Sequence, residues 1–331
     1  MSNEKAITSE LRQDPLSGDW VVVAGGRAKR PDTFRVGAKK KNSSAACAFC
    51  SFFAKENLQP NGGIIVVPNK YPAFSPDNKI VKLSRGLTSA GLFRKKPAIG
   101  FHEVVLLKNH KQQLADLSSD EIRDLINVYQ ERYLALCNKK SVNYVFIFHN
   151  QGPSAGASIV HPHSQIIASS VVDYGFLQPL KCAQKFYQQK KQCVYCQIVR
   201  SEIKSKERIV LQNKSFIALC PFASKVAFET MILPKNHSPY FEKITEAEKY
   251  DLAEILKNVL IKIKKGLNNS DYNFYITTSP CDNNSHPYFH WHLTILPKTA
   301  VYAGFELGAG MEIITTSPEQ AAEYLRKIYP V

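Results

Sequence analysis

Four of the eight cysteines stand in two pairs, Cys47-Ala-Phe-Cys50 and Cys193-Val-Tyr-Cys196. At this spacing one turn of chain can offer two thiolates to a single metal ion. A thioredoxin-type redox site would need its pair at the opening of a helix after a strand, whereas Cys47 follows a Lys/Ser/Ala-rich stretch, so metal is the better reading. Cys137, Cys182, Cys220 and Cys281 are single and read as small buried hydrophobes. A tetrahedral zinc needs two more N or S ligands per pair. The histidines available are His110 and His161 for Cys47 and Cys50, and His237 and His290 for Cys193 and Cys196. Four protein ligands fill a zinc and leave no open position for water, so both metals are expected to be structural and the reacting group must lie elsewhere.

The segment that can do that chemistry is Asn150-Gln-Gly-Pro-Ser-Ala-Gly-Ala-Ser-Ile-Val-His-Pro-His-Ser-Gln165. Gly152, Ser154, Gly156 and Ser158 allow close backbone approach and offer N–H and hydroxyl donors, as a phosphate requires. Pro162 disfavours helix at His161, and in an extended chain His161, His163 and Gln165 project to one face. One histidine can then serve the metal while His163 faces a substrate. A neutral imidazole is a competent nucleophile toward phosphorus, and covalent catalysis divides one difficult displacement into two easier ones.

These residues sit in an internal repeat. Each cysteine pair is followed by an apolar segment with a Glu, then Lys-Asn-His, a helix start and a His-x-His cluster. The first copy reads Phe101-His-Glu103, Lys108-Asn-His110, Ser118-x-x-Glu121 and His161-Pro-His163; the second reads Phe228-Glu229, Lys235-Asn-His237, Thr245-x-x-Glu248 and His290-Trp-His292. From the Lys-Asn-His histidine to the helix-start Glu is 11 residues in both copies, and to the later cluster 51 and 53. The second copy has no Gly in the stretch before His290 that would match the first loop, and Leu293 follows His292 where Ser164-Gln165 follows His163. One active and one degenerate half is therefore expected.

Ser118-x-x-Glu121 and Thr245-x-x-Glu248 are capping boxes that open helices. Ile122, Leu125, Ile126, Tyr129 and Tyr133 recur at helical spacing, as do Leu252, Ile255, Leu256, Val259 and Ile263. Short β-branched and aromatic runs, Asp19–Val23, Tyr144–Phe148, Ser164–Ala168 and Phe274–Thr277, predict strands. One long helix per half among strands joined by short turns predicts an α+β fold with antiparallel sheets. The polar, Lys/Gln-rich stretch from Gln178 to Gln192 places the boundary, giving units 1–180, with the nucleophile, and 181–331.

Composition narrows the class. At 331 residues, 44% hydrophobic and 21% charged, with 16 Gly and 18 Pro, the chain is neither disordered nor low in complexity. Early acids and the lack of any run of about 18 apolar residues predict a cytoplasmic protein with no membrane partner. The net charge of +15, from 43 basic and 28 acidic residues, fits anionic substrates or nucleic acid. Lys39–Lys41, Lys190-Lys191 and Lys262–Lys265 are scattered and lack interleaved aromatics, so a zinc-containing nucleic-acid-binding protein is the weaker class and no nucleic-acid partner is expected.

Gly156-Ala-Ser158-x-x-His161-Pro-His163-Ser-Gln165, with Cys47-x-x-Cys50, Arg27-Ala-Lys-Arg30-Pro31 and Gly304-Phe-Glu306, resembles the galactose-1-phosphate uridylyltransferase family, a branch of the histidine-triad superfamily. The resemblance runs from Arg12-x-Asp14-Pro15 to Gly304-Phe-Glu306 and implies two tandem histidine-triad-like half-domains, each an antiparallel sheet with a long helix. It further implies that His163 attacks the α-phosphorus of a nucleotide sugar, releases hexose 1-phosphate and carries the nucleotide until a second phosphate acceptor takes it. Gln165 and Ser158 would bond the transferring group, Asn150, Gly156 and Ala157 would line the phosphate, Arg27, Arg30 and Asn69 would surround the nucleotide, and Phe305 and Glu306 would recognise the hexose. Such enzymes serve galactose metabolism, and many relatives are homodimers.

Where many uridylyltransferases carry Asn-Asp-Phe this sequence has Asn69-Lys70-Tyr71, and Ala300-Val-Tyr-Ala303 lacks a basic residue common in the family. The second cysteine pair, with His237 and His290, resembles a subgroup that includes plant ADP-glucose phosphorylase, which passes AMP to inorganic phosphate. The leading expectation is a ping-pong UDP-glucose:hexose-1-phosphate uridylyltransferase, with adenylyl transfer to phosphate as the alternative. A histidine-triad hydrolase ranks below both, because the amide of Gln165 cannot act as an acid toward a leaving group.

Overall fold

The computed structural model describes residues 10–23, 47–53, 63–76 and 97–329. Arg27 and Arg30 lie outside the described residues. Nine strands form one sheet: β3 (Ile64–Pro68), β4 (Gly100–Leu107), β5 (Tyr144–Gln151), β6 (His163–Ser169), β7 (Ile209–Gln212), β8 (Phe216–Leu219), β9 (Thr230–Pro234), β10 (Tyr272–Thr277) and β11 (His292–Pro297). Their order is β3-β4-β6-β5-β10-β11-β9-β8-β7, and every neighbouring pair is antiparallel. The repeat is visible in that order, since β4-β6-β5 and β9-β11-β10 are the same arrangement met from opposite edges. They join where β5 pairs β10, from Tyr272 opposite Gln151 to Ile276 opposite Ile147.

A smaller sheet holds β1 (Glu10–Gln13), β2 (Trp20–Val23) and β12 (Ile313–Ile314), the last parallel to β2. The run Asp19–Val23 thus forms its strand in this separate sheet. Seven α-helices complete the described chain: α1 (Cys50–Phe53), α2 (Ser119–Cys137), α3 (Tyr174–Lys190), α4 (Val194–Ser205), α5 (Glu246–Gly266), α6 (Gly304–Ala309) and α7 (Pro318–Lys327). None is long and apolar enough to cross a membrane.

Both capping boxes form as expected, with the Ser118 and Thr245 side chains accepting the amides of Glu121 and Glu248. Such a cap is worth about 1 kcal/mol. Each fully buried aliphatic side chain contributes roughly 1.5–3 kcal/mol, so the buried faces dominate: Ile122, Leu125, Ile126, Tyr129 and Tyr133 on α2 and Leu252, Ile255, Leu256, Val259 and Ile263 on α5 all join one core beneath the sheet. Strand alternation sends Val145, Ile147, Phe274 and Ile276 into that core and leaves Phe148, Asn150, Asn273 and Tyr275 on the other face. Most of the polar stretch 178–192 is helical, within α3. Asp173 caps α3 on the amide of Gly175, and Leu180 and Ala183 bury against α4, so the divide at 180/181 lies within the helix connecting the two halves.

Candidate active site and metal centres

Each expected ligand set comes together. The sulfur and nitrogen atoms of Cys47, Cys50, His110 and His161 lie within 4.8 Å of one another, as do those of Cys193, Cys196, His237 and His290, and each group could hold a metal ion. A tetrahedron with metal–ligand distances of 2.0–2.3 Å has edges of about 3.3–3.8 Å. In the first cluster Cys50 Sγ lies 3.3 Å from His110 Nδ1 and 3.5 Å from His161 Nδ1, and Cys47 Sγ lies 3.7 Å from His161 Nδ1. In the second, Cys196 Sγ lies 3.4 Å from His237 Nδ1 and 3.7 Å from His290 Nδ1.

Backbone carbonyls assign the imidazole tautomers. His161 Nε2 donates to Leu107 O, His237 Nε2 to Pro287 O at 2.8 Å and His290 Nε2 to Pro234 O at 3.0 Å, so each keeps an unprotonated Nδ1 facing the cysteines. The hydrogen bond from Cys193, more than the opposing burial, holds the Cys196 thiol far below its ordinary range, with His237 and His290 adding to it. Burial and Cys47 push Cys50 up instead. A bound cation reverses such a rise, because it stabilises the thiolate directly.

His163 opens β6, two residues beyond His161, and is buried. Its Nδ1 lies 2.8 Å from His161 O, and a carbonyl can only accept, so Nδ1 carries the proton and the Nε2 lone pair is free. Burial pushes its pKa below the ordinary imidazole value, partly offset by that carbonyl bond. The neutral form needed for attack is thus favoured. The ring of Phe49, inside the first cysteine pair, meets the His163 ring edge-on at 5.1 Å.

Gln165 follows on the same face of β6, opposite Val104 on β4 and Phe148 on β5. Its Oε1 lies 2.8 Å from His102 Nε2, and Asn69 Nδ2 lies 3.2 Å from that nitrogen, so Gln165 and Asn69 meet around one imidazole. Asn150, at the end of β5, accepts through its Oδ1 from Asn273 Nδ2 at 2.8 Å across the β5–β10 seam.

The small-residue loop is tighter than its composition suggests. Ala155 and Ala157 N–H donate to Gly152 O, Gly156 N–H to Pro153 O, and Ser154 N–H to Asp271 Oδ2 at 2.8 Å. These four amides are used within the protein, and Ser158 is an exposed donor of the loop. Gly152 has φ +86° and a Cβ there would fall 1.9 Å from Asp271 Oδ1, so only glycine fits. Phe305 and Glu306 stand apart on α6. Phe305 is half exposed, Glu306 caps its own helix through the Ala303 amide, and among the described residues no hydrogen bond or ring contact joins either to His163.

Three neighbours escaped the sequence reading: His102, Asn273 and His149. His149 lies on the reverse face, with Nδ1 3.0 Å from Ser164 Oγ, which in turn lies 2.5 Å from Tyr129 OH. Each is brought in by strand pairing between distant segments, and His102 stood inside the quoted repeat with nothing in its spacing to distinguish it.

Comparison with known proteins agrees with this architecture over its whole length. Residues 1–173 match the galactose-1-phosphate uridyl transferase N-terminal domain, and residues 180–331 match its C-terminal domain. The chain is 33% identical to ADP-glucose phosphorylase of Arabidopsis thaliana, over 96% of this chain and 93% of that protein. It is 30% identical to galactose-1-phosphate uridylyltransferase of Thermotoga maritima, over 96% and 98%. The crystal structure of the Arabidopsis thaliana phosphorylase with bound ADP-glucose superimposes with a TM-score of 0.83 at 32% identity, covering 98% of this chain and all of that one. A uridylyltransferase structure gives 0.76 at 26%, covering 96% and 97%. With both halves of the sheet, the two cysteine–histidine clusters and both domain matches in register along one chain, this protein belongs to the galactose-1-phosphate uridyl transferase family.

Proposed function

We propose that the protein is a nucleotidyltransferase acting on nucleotide sugars and hexose 1-phosphates, in two steps through a nucleotidyl-histidine at His163. The observation that carries this is the Nδ1–H bond to His161 O, which places the ring proton on Nδ1 and so, in the neutral imidazole, keeps the Nε2 lone pair for attack. In the first step Nε2 attacks the α-phosphorus, the bond to the bridging oxygen breaks, and hexose 1-phosphate leaves. In the second a phosphate oxygen of the acceptor attacks the same phosphorus and the nitrogen–phosphorus bond breaks, which restores His163.

Charge on the transferring group meets the Gln165 amide and the Ser158 hydroxyl, with Asn150, Gly156 and Ala157 beside the phosphates. Asn69, Arg27 and Arg30 take the nucleotide, and Phe305 and Glu306 the hexose. Zinc held by Cys47, Cys50, His110 and His161, and by Cys193, Cys196, His237 and His290, would cross-link the chain and leave no ligand position for chemistry. In this reading residues 1–180 carry the nucleophile and residues 181–331 carry none.

UDP-glucose is the leading donor, with a hexose 1-phosphate as acceptor. A second reading, adenylyl transfer from ADP-glucose to inorganic phosphate, is favoured by the 33% identity to the Arabidopsis thaliana phosphorylase. The test is intact mass after mixing the protein separately with UDP-glucose, UDP-galactose and ADP-glucose, followed by peptide mapping of any acid-labile adduct. UMP on His163 is the expected result, AMP on His163 moves the assignment to the second reading, and no adduct from any donor overturns covalent transfer.

A further inference from the structure

The environment of His102 assigns a direction to every hydrogen bond around it. The Ala73 backbone N–H points at His102 Nδ1 over 3.2 Å, and a backbone amide can only donate, so Nδ1 is an acceptor and the ring proton sits on Nε2. That Nε2–H lies 2.8 Å from the oxygen of the Gln165 carboxamide, which can only accept. Turning the Gln165 amide over would set an NH2 against an N–H, so its NH2 group must point away from His102. Asn69 is fixed in the same way: its Oδ1 accepts the Tyr71 amide at 2.9 Å, which leaves its NH2 as a neighbour of His102 Nε2 rather than a partner. Of the two side-chain amides beside His102, that of Gln165 is thereby turned with its donor away from the imidazole, on the face of β6 that carries His163.

The second half provides a control. By strand register the place of Gln165 is taken by Thr294, opposite Met231 as Gln165 is opposite Val104. The place of His102, two residues before Val104, is taken by Glu229, which is fully buried and accepts the Lys225 amide instead. The imidazole–carboxamide pair therefore exists only in the half that carries the candidate nucleophile.

We propose that His102 is a positioning residue whose Nε2–H, bonded to Gln165 Oε1, fixes the carboxamide so that its NH2 donates to the transferring phosphoryl group. This deepens the reading of His163 as nucleophile and rests on it. Removing one preorganised donor from such a site costs 10²- to 10³-fold, and releasing a donor that stays in place costs less, about 10- to 100-fold here.

The experiment is a double-mutant cycle on the single-turnover rate of adduct formation, at a saturating concentration of whichever of UDP-glucose, UDP-galactose and ADP-glucose labels the wild type. His102→Ala slows labelling about 10- to 100-fold, His102→Gln, which restores an N–H within reach of Oε1, recovers most of the rate, and His102→Ala adds no further loss in a Gln165→Ala background. Melting temperature identifies a variant that fails to fold, in which case His102→Leu, which keeps similar volume without an N–H, with and without Gln165→Ala, closes the cycle. Labelling of His102→Ala at the wild-type rate, failure of a folded His102→Gln to recover, or an equal loss in both backgrounds overturns the positioning role. No label on the wild type from any donor overturns the His163 reading instead, and this inference with it.

Discussion

The two halves place a histidine at the start of matching strands, His163 on β6 and His292 on β11, and give each the same backbone anchor. His163 Nδ1 lies 2.8 Å from His161 O, and His292 Nδ1 lies 3.1 Å from His290 O. Their surroundings then diverge. Tyr195, which matches Phe49 within the second cysteine pair, lies 5.3 Å from the His292 ring, with Phe289 at 6.2 Å, and burial drives His292 down to about 4. α3, α4 and Phe289 build a second hydrophobic cluster over that part of the sheet. Over His163 the neighbouring apolar layer consists of Phe49, Phe52 and Phe53 against Ile65, Val67, Val104 and Leu106, towards the β3 edge.

The reverse faces differ as sharply. Behind β6 a buried chain runs from Tyr129 OH through Ser164 Oγ to His149 Nδ1, and His149 is pushed down to about 3, first by burial and then by His163. Ser164 Oγ thus stands between the two, its one hydroxyl within hydrogen-bonding reach of both His149 Nδ1 and Tyr129 OH. By register the matching positions behind β11 are Leu256, Leu293 and Ile276, all buried and apolar. One duplicated scaffold thus tolerates either filling. An aliphatic core is the less demanding solution, since every member of a buried polar chain must be satisfied, so the polar trio coincides with the half whose strand must present His163 and Gln165 in one register.

The largest effect that would break this comparison concerns the two histidines. His163→Gly is expected to lower turnover by at least about 10⁴-fold, as loss of a covalent nucleophile does, while melting temperature holds. His292→Asn should leave labelling of His163 intact in the folded protein. An adduct mapped to His292, or full turnover by His163→Gly, reverses the assignment of active and degenerate halves.

Next come the metal centres. Metal held structurally at each cluster would contribute to folding free energy, so Cys50→Ser and Cys196→Ser should both lower the melting temperature, with a matching loss of one metal equivalent by elemental analysis. They should separate in activity per folded molecule. Cys50 shares its cluster with His161, two residues from His163, whereas the second cluster lies beside His292. Equal activity losses in the two variants would remove the distinction between the halves.

The smallest effects are in the cores behind the strands. Leu293→Ala opens a cavity and is expected to cost 2–5 kcal/mol. Ser164→Ala leaves Tyr129 OH and His149 Nδ1 without their partner and is expected to cost about 1–3 kcal/mol. Adding Tyr129→Phe to Ser164→Ala should cost less than the sum of the single changes, because one orphaned group is then gone. Denaturant midpoints measure all four variants, and strict additivity would mean the trio is not a coupled chain.

Much of this organisation was legible in the residues themselves. The C-x-x-C spacing, the duplicated Lys-Asn-His and the two capping boxes are local signals, and a cap or a two-ligand turn works within a few residues of chain. They were sufficient for both Cys/His groupings and both long helices. The polar stretch after Gln178 gave no sign of its helix, because its Lys and Gln residues lie on an exposed face and only Leu180 and Ala183 reveal the packing. The small-residue loop promised backbone donors, but four of its amides turn inward, one of them to Asp271 more than a hundred residues away.

Sequence alone therefore determined the family, the repeat, the α+β class and which side chains carry nitrogen or sulfur at useful spacing. Tertiary structure alone decided where backbone carbonyls fix the ring proton of an imidazole, which way the Gln165 amide faces, and which aromatic rings pack against His163 and His292. Those properties depend on partners supplied by other strands: His102 reaches Gln165 across the β4–β6 pairing and Asn273 reaches Asn150 across β5–β10. Hydrogen-bond direction and desolvation act over a few ångströms in space, and chain spacing carries no record of which distant segments will lie that close.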